Sequence, residues 1–137
     1  MAVQPLLGPL QPPAKEGALL AFEQKGDAGM GEKGFVYVPK ICEKQRCRVH
    51  VAFHGCRQSA GELGDRFARE AGYNRWAESN ALIVLYPQVK ASWSAFAFNP
   101  RACWDWWGYT GATYHTKDGA QIRAVQAMLQ RLSAAKK

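Results

Sequence analysis

The stretch Val49-His50-Val51-Ala52-Phe53-His54-Gly55-Cys56-Arg57-Gln58 decides the fold of this chain. Apolar side chains at positions 49, 51 and 53 alternate with those at 50, 52 and 54, which is the period of a β-strand with two distinct faces. The strand runs directly into Gly55, and glycine tolerates the sharp turn needed where a strand delivers its end to a site. Because ligands of open α/β sheets bind beyond the carboxyl ends of strands, a site is predicted at His54-Gly55-Cys56. The pattern is typical both of a simple turn and of an oxyanion loop, whose backbone N–H groups face a developing negative charge.

The composition is that of one globular domain or a piece of a larger one. The chain has 137 residues, of which 47% are hydrophobic and 21% are charged, as is ordinary for a folded protein. The net charge is +7, but the cations are spread along the sequence, which favours a solvated surface over the basic stripe of a nucleic-acid-binding protein. No apolar run approaches the ~18 residues of a membrane span. We therefore expect neither nucleic acid nor a membrane as a partner.

The chain divides into a lead-in and a domain. Residues 1–17 are rich in proline and glycine and are predicted to form an extended lead-in, with the domain at residues 18–137. Residues 1–13 lack a cationic leader and are interrupted by prolines, so we expect no signal peptide in this chain.

The domain is predicted to have an α/β fold, with a small, mostly parallel sheet and flanking helices. Strands are predicted at residues 18–24, 35–38, 49–53 and 81–86. The second and third strands are expected to pair as a hairpin. The continuous apolar run of the fourth predicts a strand buried on both faces.

Two helices are predicted. The first, at residues 61–79 with a break at Gly72, connects two strands and so completes a βαβ unit. The second, at residues 118–132, begins with Asp118 and Gln121, which can form a capping box. Its apolar face is formed by Ile122, Val125, Met128, Leu129 and Leu132.

Four cysteines, Cys42, Cys47, Cys56 and Cys103, allow two interpretations. An even set at these spacings indicates disulfides and an oxidising compartment. A zinc site would add His50 and His54, with ligands converging at about 2.0–2.3 Å. These histidines share a strand face but lie about 13 Å apart, from a rise of ~3.3 Å per residue, so they cannot share one ion. Disulfides are the better account, and no metal is expected.

The aromatic run at residues 104–109 is the second constellation. Adjacent aromatic rings cannot all point into one core, so at least one is expected at a surface or cleft, where such rings bind sugars, polymers or acyl chains. The equal alternative is that the rings cap the core beside Cys103. The run is Trp104-Asp105-Trp106-Trp107-Gly108-Tyr109.

Residues for nucleophilic catalysis are the third feature. The sequence contains no Gly-x-Ser-x-Gly, and none of its five serines has the context of a nucleophile elbow. The histidines at positions 50, 54 and 115 remain as bases, and the aspartates at 65, 105 and 118 as groups that orient them. Together they assemble no credible triad.

Several motifs together resemble the C-terminal part of the poly(3-hydroxybutyrate) depolymerase family of serine esterases. The similarity covers nearly everything from about residue 18 onwards. It rests on residues 35–39 followed by Cys42 and Cys47, on His54-Gly55-Cys56-x-Gln58, on Ala71-Gly72-Tyr73-Asn74-x-Trp76-Ala77, on Val84-Leu85-Tyr86-Pro87-Gln88, on Cys103-Trp104-Asp105-Trp106-Trp107-Gly108-Tyr109 and on Thr116-Lys117-Asp118-Gly119-x-Gln121.

The resemblance implies a circularly permuted α/β-hydrolase fold in which the Ser, Asp and His of the triad precede the oxyanion strand. It implies that the backbone N–H of Cys56 is an oxyanion-hole donor and that Cys56 pairs with Cys103 and Cys42 with Cys47. It also implies that a tryptophan of the 104–107 run contacts a polyester, and that no cofactor is required. The triad-bearing part of the family has no counterpart in this sequence.

Three functions follow from these observations. The first is a segment of a polyester depolymerase-type esterase that supplies the oxyanion-hole backbone and a substrate surface of Trp104, Trp106, Trp107 and Tyr109, and that is inactive without the missing N-terminal half. The second is a non-catalytic module that binds a polymer or glycan through the same surface. The third is a basic nucleic-acid-binding domain. The cysteines and the family favour an extracellular or periplasmic location.

Overall fold

The computed structural model describes residues 8–134. Within that range the chain forms four β-strands, four α-helices and a short 3₁₀ helix. In chain order these are β1 (Leu19–Glu23), β2 (Lys33–Tyr37), the 3₁₀ helix (Lys40–Glu43), β3 (Arg48–Val51), α1 (Ala60–Leu63), α2 (Arg66–Glu70), α3 (Tyr73–Ser79), β4 (Leu82–Tyr86) and α4 (Ala120–Ala134).

The strands form one mixed sheet in the order β1-β2-β4-β3. β3 and β4 pair in parallel, whereas β2 is antiparallel to both β1 and β4. The prediction of a mostly parallel sheet is therefore wrong, and so is the expected hairpin between the second and third strands. β4 lies between them because its residues, all buried, fit only the centre of the sheet.

The βαβ unit is confirmed, but its connection consists of three short helices. Gly64 and Gly72 take positive φ angles of 59° and 89°, a conformation that ends a helix and that glycine adopts at little cost. The break predicted at Gly72 is therefore present, and a second break falls at Gly64. α3 packs against β4, so the chain returns to the sheet beside the strand that it left.

The sheet is covered on both faces. Tyr37, Val84 and Tyr86 point to the side of α2 and α3, where they form a cluster with buried alanines of those helices. On the other face, Leu85 packs with residues of α4. These two layers place the carboxyl ends of β3 and β4 at one rim of the molecule.

α4 departs from prediction at its start. The helix begins at Ala120, and the predicted capping box is wrong because the Gln121 side chain points inward and is buried. Gly119 is required there, since a Cβ would lie 2.4 Å from the Tyr114 carbonyl oxygen. Val125 and Met128 are buried as predicted, whereas Ile122 is 45% exposed.

The described part of the lead-in, residues 8–17, contains no helix or strand and lies against α3 and the residue that follows it. The Ala14 N–H donates to the Arg75 carbonyl, and the Gln11 N–H donates to the Asn80 side chain. Residues 1–7 of the predicted lead-in lie outside the described range. No helix within residues 8–134 is long and apolar enough to cross a bilayer.

Candidate functional site

The turn at residues 55–58 follows β3 at the rim of the sheet. A Cβ at Gly55 would lie 2.9 Å from the Gln58 Oε1, so any larger residue there would displace the Gln58 side chain. The positive φ angle in the turn belongs to Arg57 instead, at 64°. A non-glycine residue in that conformation is strained, and such strain is concentrated at functional sites. The sequence therefore predicted the position of the sharp turn correctly, but the unusual φ angle belongs to Arg57 and not to Gly55.

Within this turn, one backbone amide differs from its neighbours. The Gly55 N–H donates to the Gln58 Oε1 at 2.7 Å, the Arg57 N–H to the Arg101 carbonyl at 2.7 Å, and the Gln58 N–H to the Gly55 carbonyl at 3.1 Å. The Cys56 N–H alone of these four has no hydrogen-bond partner among residues 8–134. Cys56 is exposed, so this donor is available to a group from outside.

His54 lies directly beneath the turn and is 2% exposed. Its Nε2 accepts a hydrogen bond from the Val89 N–H at 3.2 Å, and its Nδ1 lies 2.8 Å from the Gly55 carbonyl oxygen. Since a backbone N–H can only donate, Nε2 carries no proton and the neutral ring is protonated at Nδ1. Burial lowers the pKa of His54 below 6.5, against the opposing effect of the Gly55 carbonyl. Both nitrogens are thus engaged, and His54 is not a base for a serine.

Two disulfides are present, Cys42–Cys47 and Cys56–Cys103, the same pairs that the resemblance implied. The second bond ties the turn after β3 to the segment that precedes the aromatic run. The Asn99 side chain braces Cys103 as well, because it donates to the Cys103 carbonyl and accepts from the Cys103 N–H. The free Cys56 amide is therefore held on a cross-linked support.

Asp105 organises the aromatic run. One carboxylate oxygen accepts from the N–H groups of residues 107, 108 and 109, and the other accepts from the N–H and the hydroxyl of Thr110. Burial would raise the pKa of Asp105, but these hydrogen bonds outweigh it and hold the pKa below the ordinary value of 3.8. Its carboxylate is committed to the loop, so it does not orient a catalytic histidine.

The rings of the aromatic run divide between core and surface. Trp104 packs edge-to-face on Phe53, with ring centroids 5.0 Å apart, and its buried Nε1 has no hydrogen-bond partner in the described chain. The Tyr109 hydroxyl donates to the Cys103 carbonyl. Trp106 and Trp107, in contrast, are 71% and 42% exposed. The prediction that at least one ring of the run lies at the surface is therefore confirmed, while Trp104 and Tyr109 pack against the protein as the alternative expected.

The remaining candidate bases and orienting groups are dispersed. His50 stacks on Tyr73 with ring centroids 5.0 Å apart, and burial lowers its pKa below 6.5. The ring of His115 packs on Tyr114, and Asp65 pairs with Arg69. No group of three or more His, Cys, Asp or Glu side chains within residues 8–134 could hold a metal ion.

Two buried glutamines support the site in roles that the sequence did not predict. Gln121 donates to the Ala28 carbonyl and the Tyr109 hydroxyl and accepts from the Asp105 N–H, so it anchors the aromatic run to α4. Gln88 accepts from the Ala60 N–H at the start of α1. Sequence periodicity does not predict either role, because the hydrogen-bond partners just named lie at least 12 positions away along the chain.

An apolar trough, here called the edge trough, runs beside β3, which is an edge strand of the sheet. Phe53 and Ile122, which line it, are 54% and 45% exposed. Its apolar and aromatic lining is formed by Val51, Phe53, Trp104, Trp106, Tyr114, Ile122, Val125 and Leu129. Large exposed apolar surfaces of this kind mark places where protein or ligand binds.

Comparison with known proteins gives one consistent result. A family model described as Esterase PHB depolymerase matches residues 34–135. A poly(3-hydroxybutyrate) depolymerase of Delftia acidovorans is 43% identical over 109 residues, and a polyhydroxybutyrate depolymerase of Talaromyces funiculosus is 38% identical over 128 residues. These matches cover 77% and 85% of this chain but only 21% and 38% of the relatives.

Solved structures agree with the sequence relatives. The crystal structure of a PHB depolymerase from Penicillium funiculosum superposes with a TM-score of 0.86 at 34% identity, covering 93% of this chain and 45% of the other. A PHB depolymerase complexed with an R3HB trimer gives a TM-score of 0.88 at 34% identity, covering 94% and 45%. This chain therefore spans less than half of the structures and relatives that it matches. By fold and by sequence, the chain belongs to the PHB depolymerase family of esterases.

Proposed function

We propose that this chain is the oxyanion-bearing segment of a polyester depolymerase-type carboxylic ester hydrolase. The observation that carries the proposal is the free Cys56 N–H in a turn whose other amides are all bonded. Hydrolysis of an ester passes through a tetrahedral intermediate with a negatively charged oxygen. A fixed N–H aimed at that oxygen stabilises the transition state, since it needs no reorganisation as the charge develops.

The rest of the catalytic machinery comes from outside this chain. Acyl transfer needs a nucleophile with a base within hydrogen-bond reach, and the candidate bases here are engaged or dispersed. In the circularly permuted arrangement that we propose, the Ser, Asp and His of the triad precede β1. Alone, the segment can supply an oxyanion donor and a binding surface but no activated nucleophile. No cofactor takes part in such a mechanism.

The substrate proposed is a polyester of the 3-hydroxybutyrate type. A relative with the same fold binds an R3HB trimer. Here Trp106 and Trp107 expose ring surface on the loop that the Cys56–Cys103 bond ties to the turn. Such rings bind the apolar backbone of a polyester through contact area. Tyr109 packs against Trp107 and Trp104 packs against Phe53 and His54, so the direct contacts are assigned to the two exposed rings.

The edge trough is the proposed seam with the remainder of the domain. Relatives at a TM-score of 0.86 carry more than half of their chain beyond the matched part, and that part must pack on the shared fold. β3 is an edge strand of the sheet that residues 8–134 form, and sheet edges are normally covered. The trough beside it is apolar, and a neighbouring group there could also satisfy the Trp104 Nε1. The two disulfides favour an extracellular or periplasmic protein.

The test is to complete the domain. This chain should be fused behind the segment of the Talaromyces funiculosus relative that the match leaves uncovered. We expect the fusion to hydrolyse p-nitrophenyl butyrate and to react with a fluorophosphonate probe, and the 137-residue chain alone to do neither. Without a triad, an oxyanion hole and binding leave a residual acceleration of only about 10³–10⁴-fold over water in a serine protease. Stoichiometric labelling of this chain alone, at any of its five serines, would overturn the proposal.

A second function is favoured by the exposure of Trp106 and Trp107, namely a non-catalytic module that binds a polymer or glycan. Pull-down of the chain on insoluble poly(3-hydroxybutyrate) and on cellulose, compared with the activity of the fusion, distinguishes this module from the esterase segment. Tight binding to either polymer, together with a fusion that is folded but inactive, would favour this module over the esterase segment.

A further inference from the structure

We propose that His54 and Gln58 are positioning residues whose shared role is to aim the Cys56 N–H away from the protein. This inference rests on the proposed oxyanion role of that amide. Neither side chain would touch the reacting atoms. Both act on the two peptide groups that meet at Gly55, one from the buried side and one from the exposed side.

The first contact fixes the peptide that joins Gly55 to Cys56. The neutral His54 ring, protonated at Nδ1, donates to the Gly55 carbonyl oxygen at 2.8 Å from below the turn. Peptide bonds in residues 8–134 are trans, and in a trans peptide the C=O and the N–H point in opposite directions. Holding the Gly55 oxygen towards the buried ring therefore turns the Cys56 N–H outward.

The second contact fixes the preceding peptide. Gln58 Oε1 accepts from the Gly55 N–H at 2.7 Å, and the Gln58 N–H donates to the same Gly55 oxygen that His54 contacts. Two donors converge on that oxygen, so rotating the Gly55–Cys56 peptide would break two hydrogen bonds at once. The Val89 N–H in turn holds the ring of His54 through Nε2. The spacing His-Gly-x-x-Gln thus acquires a physical reason.

Two substitutions of His54 test its two hydrogen bonds one at a time, because each variant can keep only one of them. In H54N the side-chain amide can occupy the place of Nδ1 and donate to the Gly55 oxygen. In H54Q the longer side chain can occupy the place of Nε2 and accept from the Val89 N–H. Positioning predicts that H54N keeps the turn and H54Q loses it, whereas a role in packing alone predicts the same loss for both.

Variants of Gln58 provide a second test, which still applies if a His54 variant fails to fold. Gln58 is exposed, so its truncation spares the core. Q58A loses the acceptor for the Gly55 N–H, and Q58E keeps it. In the isolated chain we expect Q58A to loosen the turn as H54Q does, and Q58E to keep the backbone order of the wild type. The negative charge of Q58E would oppose a developing oxyanion, so this variant is used only for the structural measurement.

The first measurement uses the 137-residue chain and needs no activity. ¹⁵N relaxation should give an order parameter near 0.85 for the Cys56 amide in the wild type, H54N and Q58E, and below about 0.6 in H54Q and Q58A. Imidazole ¹⁵N shifts should show the Nδ1–H tautomer of His54. An Nε2–H tautomer, or a Cys56 amide equally ordered in Q58A and wild type, would overturn the inference.

The second measurement uses the fused, completed domain. We expect kcat to fall about 10- to 100-fold in H54Q and Q58A with KM nearly unchanged, less than the 10²–10³-fold that follows removal of one oxyanion donor. Equal kcat values in Q58A and the wild type would count against positioning. A fusion that is inactive even as wild type would defeat the proposed function instead, while the relaxation data would still decide how the turn is held.

Discussion

Cys56 and Cys103 are joined by a disulfide although they lie 47 positions apart in the chain. A backbone hydrogen bond, from the Arg57 N–H to the Arg101 carbonyl, runs beside it. The turn after β3 and the aromatic run are therefore one supported unit, with the free Cys56 amide at one end and the exposed tryptophans at the other. The family resemblance implied this disulfide, and the disulfide explains why the two segments lie in one place.

Removing this disulfide should destabilise the chain. Replacing both Cys56 and Cys103 by serine should lower the free energy of unfolding by about 3–4 kcal/mol, because the long loop regains its freedom in the unfolded state. Urea unfolding followed by tryptophan fluorescence measures the change. The matched control replaces Cys42 and Cys47, which close a loop with a separation of only 5 residues, and should cost about 2 kcal/mol. Peptide mapping that found four free thiols in oxidised protein would contradict the premise.

The tryptophans of the aromatic run should separate into two classes. Trp104→Ala removes a ring that packs on Phe53 and His54, and should cost roughly 3 kcal/mol of stability. Trp106→Ala removes an exposed ring, so it should leave the urea midpoint nearly unchanged while weakening adsorption to poly(3-hydroxybutyrate). Thermal melts and a polymer pull-down on both variants provide the measurements. A Trp106→Ala protein with lost cooperativity and unchanged adsorption would assign that ring to the core.

Asp105 should stabilise the loop, unlike the nearby Asp118. Asp105→Ala leaves the amides of residues 107–110 without their acceptor, and we expect a loss of about 2–3 kcal/mol. Asp118→Ala, just before α4, removes only a favourable charge at a helix start, worth less than about 1 kcal/mol. Chemical denaturation at pH 7 compares the two. Similar losses in both variants would show that Asp105 has no special role.

The lowered pKa of Asp105 adds a pH dependence to the same comparison. The ionised Asp105 carboxylate contributes fully to the free energy of unfolding above the ordinary carboxyl pKa of 3.8. This contribution is lost as the pH falls through the lower pKa that Asp105 has in the folded state. The gap in stability between wild type and Asp105→Ala should therefore narrow in strong acid. A gap that stayed constant down to pH 2 would show that the carboxylate charge is not what holds the loop.

Mild acid should destabilise the protein through its two partly or fully buried histidines. Burial lowers the pKa of both His50 and His54 below 6.5, so below that pH the unfolded chain binds protons that the folded chain does not. Stability should be independent of these groups above about pH 7 and should fall as the pH drops below about 6.5. Urea midpoints between pH 8 and pH 5 test this, and H54N should show a shallower fall. A midpoint that rises on acidification would contradict the burial of these rings.

Some features of the protein were determined by local sequence. The alternation at residues 49–53 predicted a strand, and the apolar run at residues 81–86 predicted a strand buried on both faces, because side-chain period and burial are written directly into the residue order. The break at Gly72 was predictable from the residue type, because glycine adopts a positive φ angle at little cost. The motif Cys-Trp-Asp-Trp-Trp-Gly-Tyr indicated the family, which the comparisons confirm.

Other features were decided only by the tertiary structure. The sequence could not place β4 between β2 and β3, since strand order depends on which hydrophobic faces meet after the chain has crossed over. Gln121 was expected to cap α4, but three partners beyond the start of its own helix draw it inward. The free Cys56 amide is likewise visible only after the bonds of its neighbours, among them one to Arg101, are known. Periodicity records which side a residue faces, whereas hydrogen-bond partners distant along the chain are brought together only by folding.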